Sequence, residues 1–258
     1  MDNTNDSPVQ RAGSAATLQK AEKRGFLNRN ALKYLVVIAM VMDHIAVCFS
    51  DQIPGASYNL LRVFGRVVSP VFAFFIAEGF MHTSNIVKYK IRIAILALIS
   101  WVACLFCFFG IEKLKESPEM LVGQSVVFAF VLALVALSVW HSEKLKIGVK
   151  IFLIVLLTAL SLISDMPFAG VLAPLFHVIF KDNKIKRYIS LALTYMVMVI
   201  PVIFSQGWFW LGILLAPILL IFCYNGESGK KNAFNKWFFY AFYPAHLIVL
   251  GILRWYVF

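Results

Sequence analysis

Asp43 and His44 stand side by side inside an unbroken apolar run, residues 37–50, and two arginines four positions apart, Arg62 and Arg66, follow a short connection. Acid, histidine and arginine are the residue types of proton transfer and of anion stabilisation. At 1.5 Å per helical residue, His44 lies about 9 Å below the edge of its apolar block and Asp43 about 10 Å. The same count into the next block puts Arg62 about 4 Å deep and Arg66 about 10 Å deep, so all four meet near one level. An unpaired charge at that depth costs about 2.5–3.5 kcal/mol even on insertion scales, so these charges are expected to pair across helices. Neighbouring residues on a helix point about 100° apart. Asp43 is therefore the expected counter-ion of Arg66 or Arg62, and His44, with a free face, is the candidate base. Spacing alone leaves a second reading open, in which the four only lock two helices together.

Two further groups have the right types. Glu78 and His82 are four apart at the far end of the second apolar block, with Lys33, Tyr89, Arg92 and Lys231 at the same membrane edge. Lys33 precedes His44 by three helical turns, so the two share a face about 16 Å apart. A basic rim of this kind suits an anionic cytosolic cofactor, and it equally suits plain topogenic charge. The last block carries Tyr240, Tyr243, Pro244, His246 and Arg254. Pro244 opens the backbone there, and His246 falls near mid-membrane. Counted this way, His44, His82 and His246 sit at three depths, which disfavours a haem or metal site, and no metal is expected.

The elements that position these residues follow from composition. Of 258 residues, 61% are hydrophobic and 14% charged, and the apolar ones fall in long blocks: 32–50, 59–81, 91–110, 120–140, 148–164, 168–180, 188–205, 208–224 and 237–258. This predicts an all-α, polytopic transmembrane bundle of about nine spans. The fifth and sixth blocks are short for a crossing of about 30 Å, which suggests a bent or re-entrant hairpin at Asp165-Met166-Pro167. A net charge of +11 in a soluble chain would suggest nucleic acid. Here Lys and Arg collect in alternate loops, so the positive-inside rule accounts for them, and no nucleic-acid partner is expected. The N-terminus is predicted inside and the C-terminus outside. Residues 1–30 read as a polar, disordered cytoplasmic tail, with Asn30 the expected cap of the first helix, and residues 31–258 as the membrane domain. Cys104-x-x-Cys107, flanked by apolar residues, reads as packing.

The stretches LKYLVVIAMVMDHIAVCF, LRVFGRVVSPVFAFFIAEGFMHTSNIVKYKIRIAILALIS and FCYNGESGKKNAFNKWFFYAFYPAHLIVL resemble the TraX family, best known for N-acetylation of conjugative F-type pilin. The resemblance rests on Asp43-His44, Arg62, Gly65-Arg66, Pro70, Phe72, Glu78-Gly79-Phe80, His82-Thr83, Tyr89, Arg92, Asn225-Gly226, Lys231, Phe242-Tyr243-Pro244 and His246. It covers both ends of the chain. The middle departs from the pattern, with Gln124 where an Asn is expected and Asp165-Met166-Pro167 where an Asp-aromatic-Gly turn is expected. Lys33 and His44 also keep a spacing similar to that of membrane acyltransferases that acylate cell-surface sugars, with Lys replacing their usual Arg.

The resemblance implies an acyltransferase of the bacterial inner membrane that uses cytosolic acetyl-CoA. Its implied cofactor site is Lys33, Glu78, His82, Tyr89, Arg92, Asn225, Lys231 and Tyr243. The implied reaction centre is His44 as base, with Asp43, Arg66, Arg62 and His246. A protein N-terminus, a lipid or a glycan would be the acceptor. Two rivals need only some of these residues: a non-enzymatic assembly factor for pili or envelope, and a proton-coupled transporter, although the internal repeats usual in transporters are absent from the sequence.

Overall fold

Asparagine opens the first helix, two residues earlier than expected. In the computed structural model, which describes residues 25–230 and 232–258, α1 spans Arg29–Cys48, and the Asn28 side chain accepts from the Ala31 N–H at 3.0 Å. Asn30 lies inside the first turn and donates to the Lys230 carbonyl instead. Of the expected polar tail, residues 1–24 lie outside the described residues. The second apolar block forms α2 (Gly55–Gly65) and α3 (Val68–His82), which run on across a short break at Arg66 and Val67. Next come α4 (Ile86–Glu116), α5 (Val126–Trp140), α6 (Ile147–Leu160), α7 (Ala169–Ile179) and α8 (Lys184–Gln206). A 3-10 stretch, Trp208–Leu214, leads into α9 (Leu215–Phe222), and α10 (Ala233–Ile252) ends in a π turn, Leu253–Val257. Pairing of extended backbone among the described residues is confined to two isolated bridges.

Five elements are long and apolar enough to cross a bilayer: Arg29–Cys48, Gly55–His82, Ile86–Glu116, Lys184–Gln206 and Ala233–Val257. Four apolar elements are shorter: Val126–Trp140, Ile147–Ile163, Ala169–Ile179 and Trp208–Phe222. Shortness was expected only of the fifth and sixth blocks. The fourth is also short, because a 3-10 turn at Pro118–Val122 and extended backbone from Gly123 to Ser125 take up its first residues. The eighth spends half its length as 3-10 helix, a form that seldom extends far. Large apolar side chains such as Ile38, Leu98, Val102, Phe152, Val197 and Phe204 are more than half exposed. So much apolar surface would be untenable in water and is ordinary in lipid. The chain is a membrane protein.

The helices surround α3. This helix packs against α1, α5, α7, α8 and α9, and Gly55–His82 is the most enclosed of the long elements. Beside it, α10 packs along both α4 and α1. Three other asparagine caps, Asn85, Asn183 and Asn232, begin α4, α8 and α10 as Asn28 begins α1. Each capped end coincides with a basic segment of the sequence, so positive helix termini and positive side chains gather together. The chain entering α1 is tied to the chain leaving α9: Leu27 N–H donates to the Cys223 carbonyl at 2.8 Å, and the Leu27 carbonyl accepts from Asn225 N–H at 2.9 Å.

Glycine permits one close approach that matters to the site. A Cβ on Gly65 would lie 2.2 Å from the Asp43 side chain, so α1 and α2 meet there at backbone distance. A second glycine breaks a helix. Gly110 has φ 72°, a left-handed value inside α4, and the carbonyls before the break are met from the end of the chain. Trp255 Nε1 donates to the Phe106 carbonyl at 2.9 Å, and Arg254 Nη1 donates to the Phe108 carbonyl at 3.2 Å.

Candidate functional site

Between α1, α3, α4 and α10 lies a cavity of about 1250 Å³ that runs from the capped, basic end of the bundle to the level of Asp43 and His44. Arg29, Lys33, Lys230 and Lys236 stand at its basic mouth with Asn232, Asn235, Tyr89 and Tyr240. Met40, Phe72, Phe75 and Phe239 line the passage, and Asp43, His44, Arg62, Arg66, Asp165 and Tyr243 line its deep end. A pocket of this size, mostly apolar with polar groups converging at the ends, is what an extended ligand requires.

At the deep end Asp43 holds both arginines, one on each oxygen. Arg62 Nη1 is 2.9 Å from Oδ1, and Arg66 Nη2 is 2.6 Å from Oδ2. The Gly65 contact makes this possible by letting α2 lie directly on Asp43. Arg66 stacks over the Trp210 ring at 4.5 Å and Arg62 over Phe209 at 5.0 Å, contacts that steady a guanidinium where water is scarce. Two cations share the one carboxylate they touch, and a second carboxylate, Asp165, faces the same cavity.

His44 does not contact Asp43 through its ring. Its Nδ1 is 2.7 Å from His246 Nε2, and the two rings stack at 14° with centroids 5.0 Å apart. His246 Nδ1 is in turn 3.0 Å from the Phe242 carbonyl. A carbonyl can only accept, so His246 Nδ1 carries the proton and the Nε2 of a neutral His246 is an acceptor. His44 Nδ1 must then donate, which leaves the lone pair on His44 Nε2. A histidine held in this tautomer is set to act as a base at Nε2. Tyr243, whose hydroxyl is 3.9 Å from Cys104 Sγ, and Phe108 enclose the ring.

The expected separation in depth of His44 and His246 is thereby corrected. The block containing His246 was counted from residue 237, but α10 begins at Ala233. The first helix also begins three residues before its counted block, so the two shifts nearly cancel, and it is the direct contact of the rings that places the two histidines at one level.

The residues expected at the basic edge divide. Lys33 lines the cavity, its Nζ between the rings of Phe75 and Phe239 at 5.4 and 5.3 Å, and Tyr89 and Tyr243 line it too. Glu78 faces elsewhere. Its carboxylate takes Arg187 Nη2 at 2.6 Å and Arg29 Nη2 at 3.5 Å, with His177 Nε2 at 3.6 Å and His82 Nδ1 at 3.8 Å. This knot ties α1, α3, α7 and α8 together. His82 is largely exposed off the cavity, Arg92 lies beside Tyr89 behind the wall, and Asn225 braces its own loop by accepting from Glu227 N–H at 2.9 Å. Lys231 lies outside the described residues.

Sequence reasoning missed Lys230, Lys236 and Asn235 at the mouth, and it missed His177 and Arg187 as the main partners of Glu78. It also missed a wall of the deep end. Gln124 N–H donates to the Ile163 carbonyl at 2.8 Å, and Asp165 N–H donates to the Gln124 carbonyl at 3.1 Å. These two bonds pin the turn before α7 to the strand-like segment before α5, and Gln124, Ser125 and Asp165 all face the cavity. The available signal was the pair of departures from the family pattern, Gln124 and the Met166-Pro167 that follows Asp165.

Comparison with known proteins follows the same outline. The family model described as "TraX protein" matches residues 28–254. A relative from Dichelobacter nodosus, described as "Probable fimbrial assembly protein FimC, serogroup H1", is 29% identical over 233 residues, covering 85% of this chain and 92% of its own length. No solved structure matches.

Proposed function

This chain belongs to the TraX family, and from that premise we propose that it is an acetyltransferase of the bacterial inner membrane, taking acetyl groups from cytosolic acetyl-CoA to an acceptor near the outer face. The observation that carries the reading is the single cavity joining a basic mouth to the His44–His246 pair. In this reading the mouth is cytoplasmic, the short apolar elements complete nine crossings, and the C-terminal end lies outside. Lys33, Lys230 and Lys236 bind the phosphates of the donor, and the apolar passage takes its thioester arm.

The chain's own groups supply the chemistry. His44 Nε2 removes a proton from the acceptor amine or hydroxyl as its nitrogen or oxygen attacks the acetyl carbonyl. The new C–N or C–O bond forms, the C–S bond breaks, and the proton passes to the leaving sulfur. His246 holds the His44 ring and accepts from its Nδ1, so the charge gained at Nε2 is shared with a second imidazole. The arginine pair, held in place by Asp43, stabilises the oxyanion.

A second reading is favoured by the relative's description as a fimbrial assembly protein: a non-enzymatic assembly factor in which the ion pairs serve only packing. The two are separated by giving labelled acetyl-CoA to membranes carrying the wild-type chain or His44→Gln. Acetylated envelope protein, lipid or glycan in the first membranes and none in the second, at equal protein abundance, supports the enzyme. Pilus assembly unchanged in His44→Gln, with no label transferred by the wild type, would leave only the assembly factor.

A further inference from the structure

Three polar side chains at the deep end of the cavity have no structural task. Asp165 is exposed, and the surface it exposes belongs to the cavity wall. Its carboxylate makes no hydrogen bond or ion pair among the described residues, although Arg62 and Arg66 are near enough to act on it electrostatically. Ser125 is 98% buried, heads α5 without capping it, and its hydroxyl has no partner. Gln124, between them, uses only its backbone to hold the turn.

A protein interior seldom leaves a hydroxyl such as that of Ser125 unpaired, because it loses its water without recompense, and here it stands beside a carboxylate that only the cavity reaches. The two backbone bonds between Gln124 and the 163–165 turn fix both groups in place regardless. Both arginines of the tier are already committed to Asp43. The partner that Asp165 lacks is therefore a cation from outside the fold.

We propose that Asp165, with Ser125 and Gln124 beside it, is the acceptor subsite, and that it takes a primary ammonium group. This deepens the acetyl-transfer reading and rests on it for the step that follows binding. An ammonium nitrogen has no lone pair, so it must lose one proton before it attacks. Asp165 receives that proton and passes it to the water of the cavity. The free amine then attacks the acetyl carbonyl, the C–N bond forms and the C–S bond breaks, and the second proton goes through His44 Nε2 to the sulfur. One ammonium and one thioester give one amide, one thiol and one released proton. A hydroxyl acceptor has only one proton to lose and no use for Asp165.

The test separates binding from turnover. Purified full-length protein in nanodiscs is melted alone, with alaninamide, with its hydroxyl counterpart lactamide, and with glucosamine, all without donor. Alaninamide or glucosamine is expected to raise the melting temperature of the wild type and lactamide to leave it unchanged. Whichever amine acts tells a peptide-like stem from a sugar. Asp165→Asn should abolish the shift, Asp165→Glu should keep part of it, and Ser125→Ala should weaken it. Without ligand, Asp165→Asn should melt no lower than wild type, since an unpaired charge has been removed. In turnover, followed by release of CoA thiol, Asp165→Asn should raise KM for the amine by about tenfold or more while leaving KM for acetyl-CoA unchanged. The subsite is overturned by a wild type that no amine stabilises, by equal amine shifts in wild type and Asp165→Asn, or by an unliganded Asp165→Asn as unstable as Asp43→Asn. If amines bind as described and no thiol is released, the subsite stands and the acetyl-transfer reading fails.

Discussion

The two ends of the bundle use nearly the same parts for different ends. At the deep end one carboxylate, Asp43, holds Arg62 and Arg66 with His44 beside them. At the basic end one carboxylate, Glu78, holds Arg187 and Arg29 with His177 beside them. In the Glu78 cluster the histidine is spent: His177 Nε2 accepts from Arg187 and lies against Glu78, fully enclosed behind Phe74. In the Asp43 cluster the carboxylate leaves the histidine alone, and a second histidine turns its lone pair outward. Residue types do not separate a lock from a candidate reaction centre. Access does: His44 lines the cavity and His177 does not.

The sharpest way to break this comparison is to treat the two histidines alike. His44→Gln should lower acetyl transfer by about 10²–10⁴-fold, as loss of a general base does, with melting temperature and abundance preserved. His177→Gln should do the reverse, lowering melting temperature with turnover per folded molecule kept. Equal behaviour of the two variants would dissolve the distinction. Next come the carboxylates, which should behave alike in stability. Asp43→Asn and Glu78→Gln each strand two arginines, at about 3–5 kcal/mol by the usual cost of breaking a buried pair. Adding Arg66→Met to Asp43→Asn should recover abundance, read by membrane content and melting, without recovering turnover.

A smaller effect tests the second imidazole. His246→Gln removes the acceptor that fixes the His44 tautomer, and kcat should fall by about 10–100-fold with KM for acetyl-CoA unchanged, at the low end for acid–base partners. Smallest is the mouth. Lys33→Met keeps the stem between Phe75 and Phe239 but removes the charge, and KM for acetyl-CoA should rise by several-fold, roughly 1 kcal/mol for one partly screened phosphate contact, while kcat stays.

What the sequence disclosed follows the range of each contact. Asp43 with Arg62 and Arg66 was legible because the partners lie on consecutive apolar blocks joined by a short connection, at depths that simple counting makes equal. Glu78 with His82 was legible as a spacing of four, but its stronger partners, Arg187 and His177, come from helices about a hundred residues away, and no periodicity points to them. The contact of His44 with His246 was lost because counting along two helices 202 residues apart says nothing of how they shift and tilt against one another. The displaced cap is an error of another kind, since boundaries are the part of a helix that pattern defines least. Asn28 and Asn30 are equally good caps by type, and the bridge of Leu27 to the chain after α9 decides between them. The nine apolar elements were visible as blocks, but the shortness of α5 and of the stretch before α9 was not, because 3-10 turns leave no mark on hydropathy.

The pairing of His44 with His246 also sets the order of events during synthesis. The arginines that neutralise Asp43 are within 23 residues of it, so this charge leaves the insertion machinery with its partners already at hand. The histidine that holds His44 is 202 residues further on, and at ribosomal speeds of about 5–20 residues per second it arrives about 10–40 s later. Until α10 enters the bilayer, one wall of the cavity is missing and the base has no fixed proton. If the acetyltransferase reading holds, a nascent or truncated chain sits in the membrane without working, and transfer begins only with the last helix.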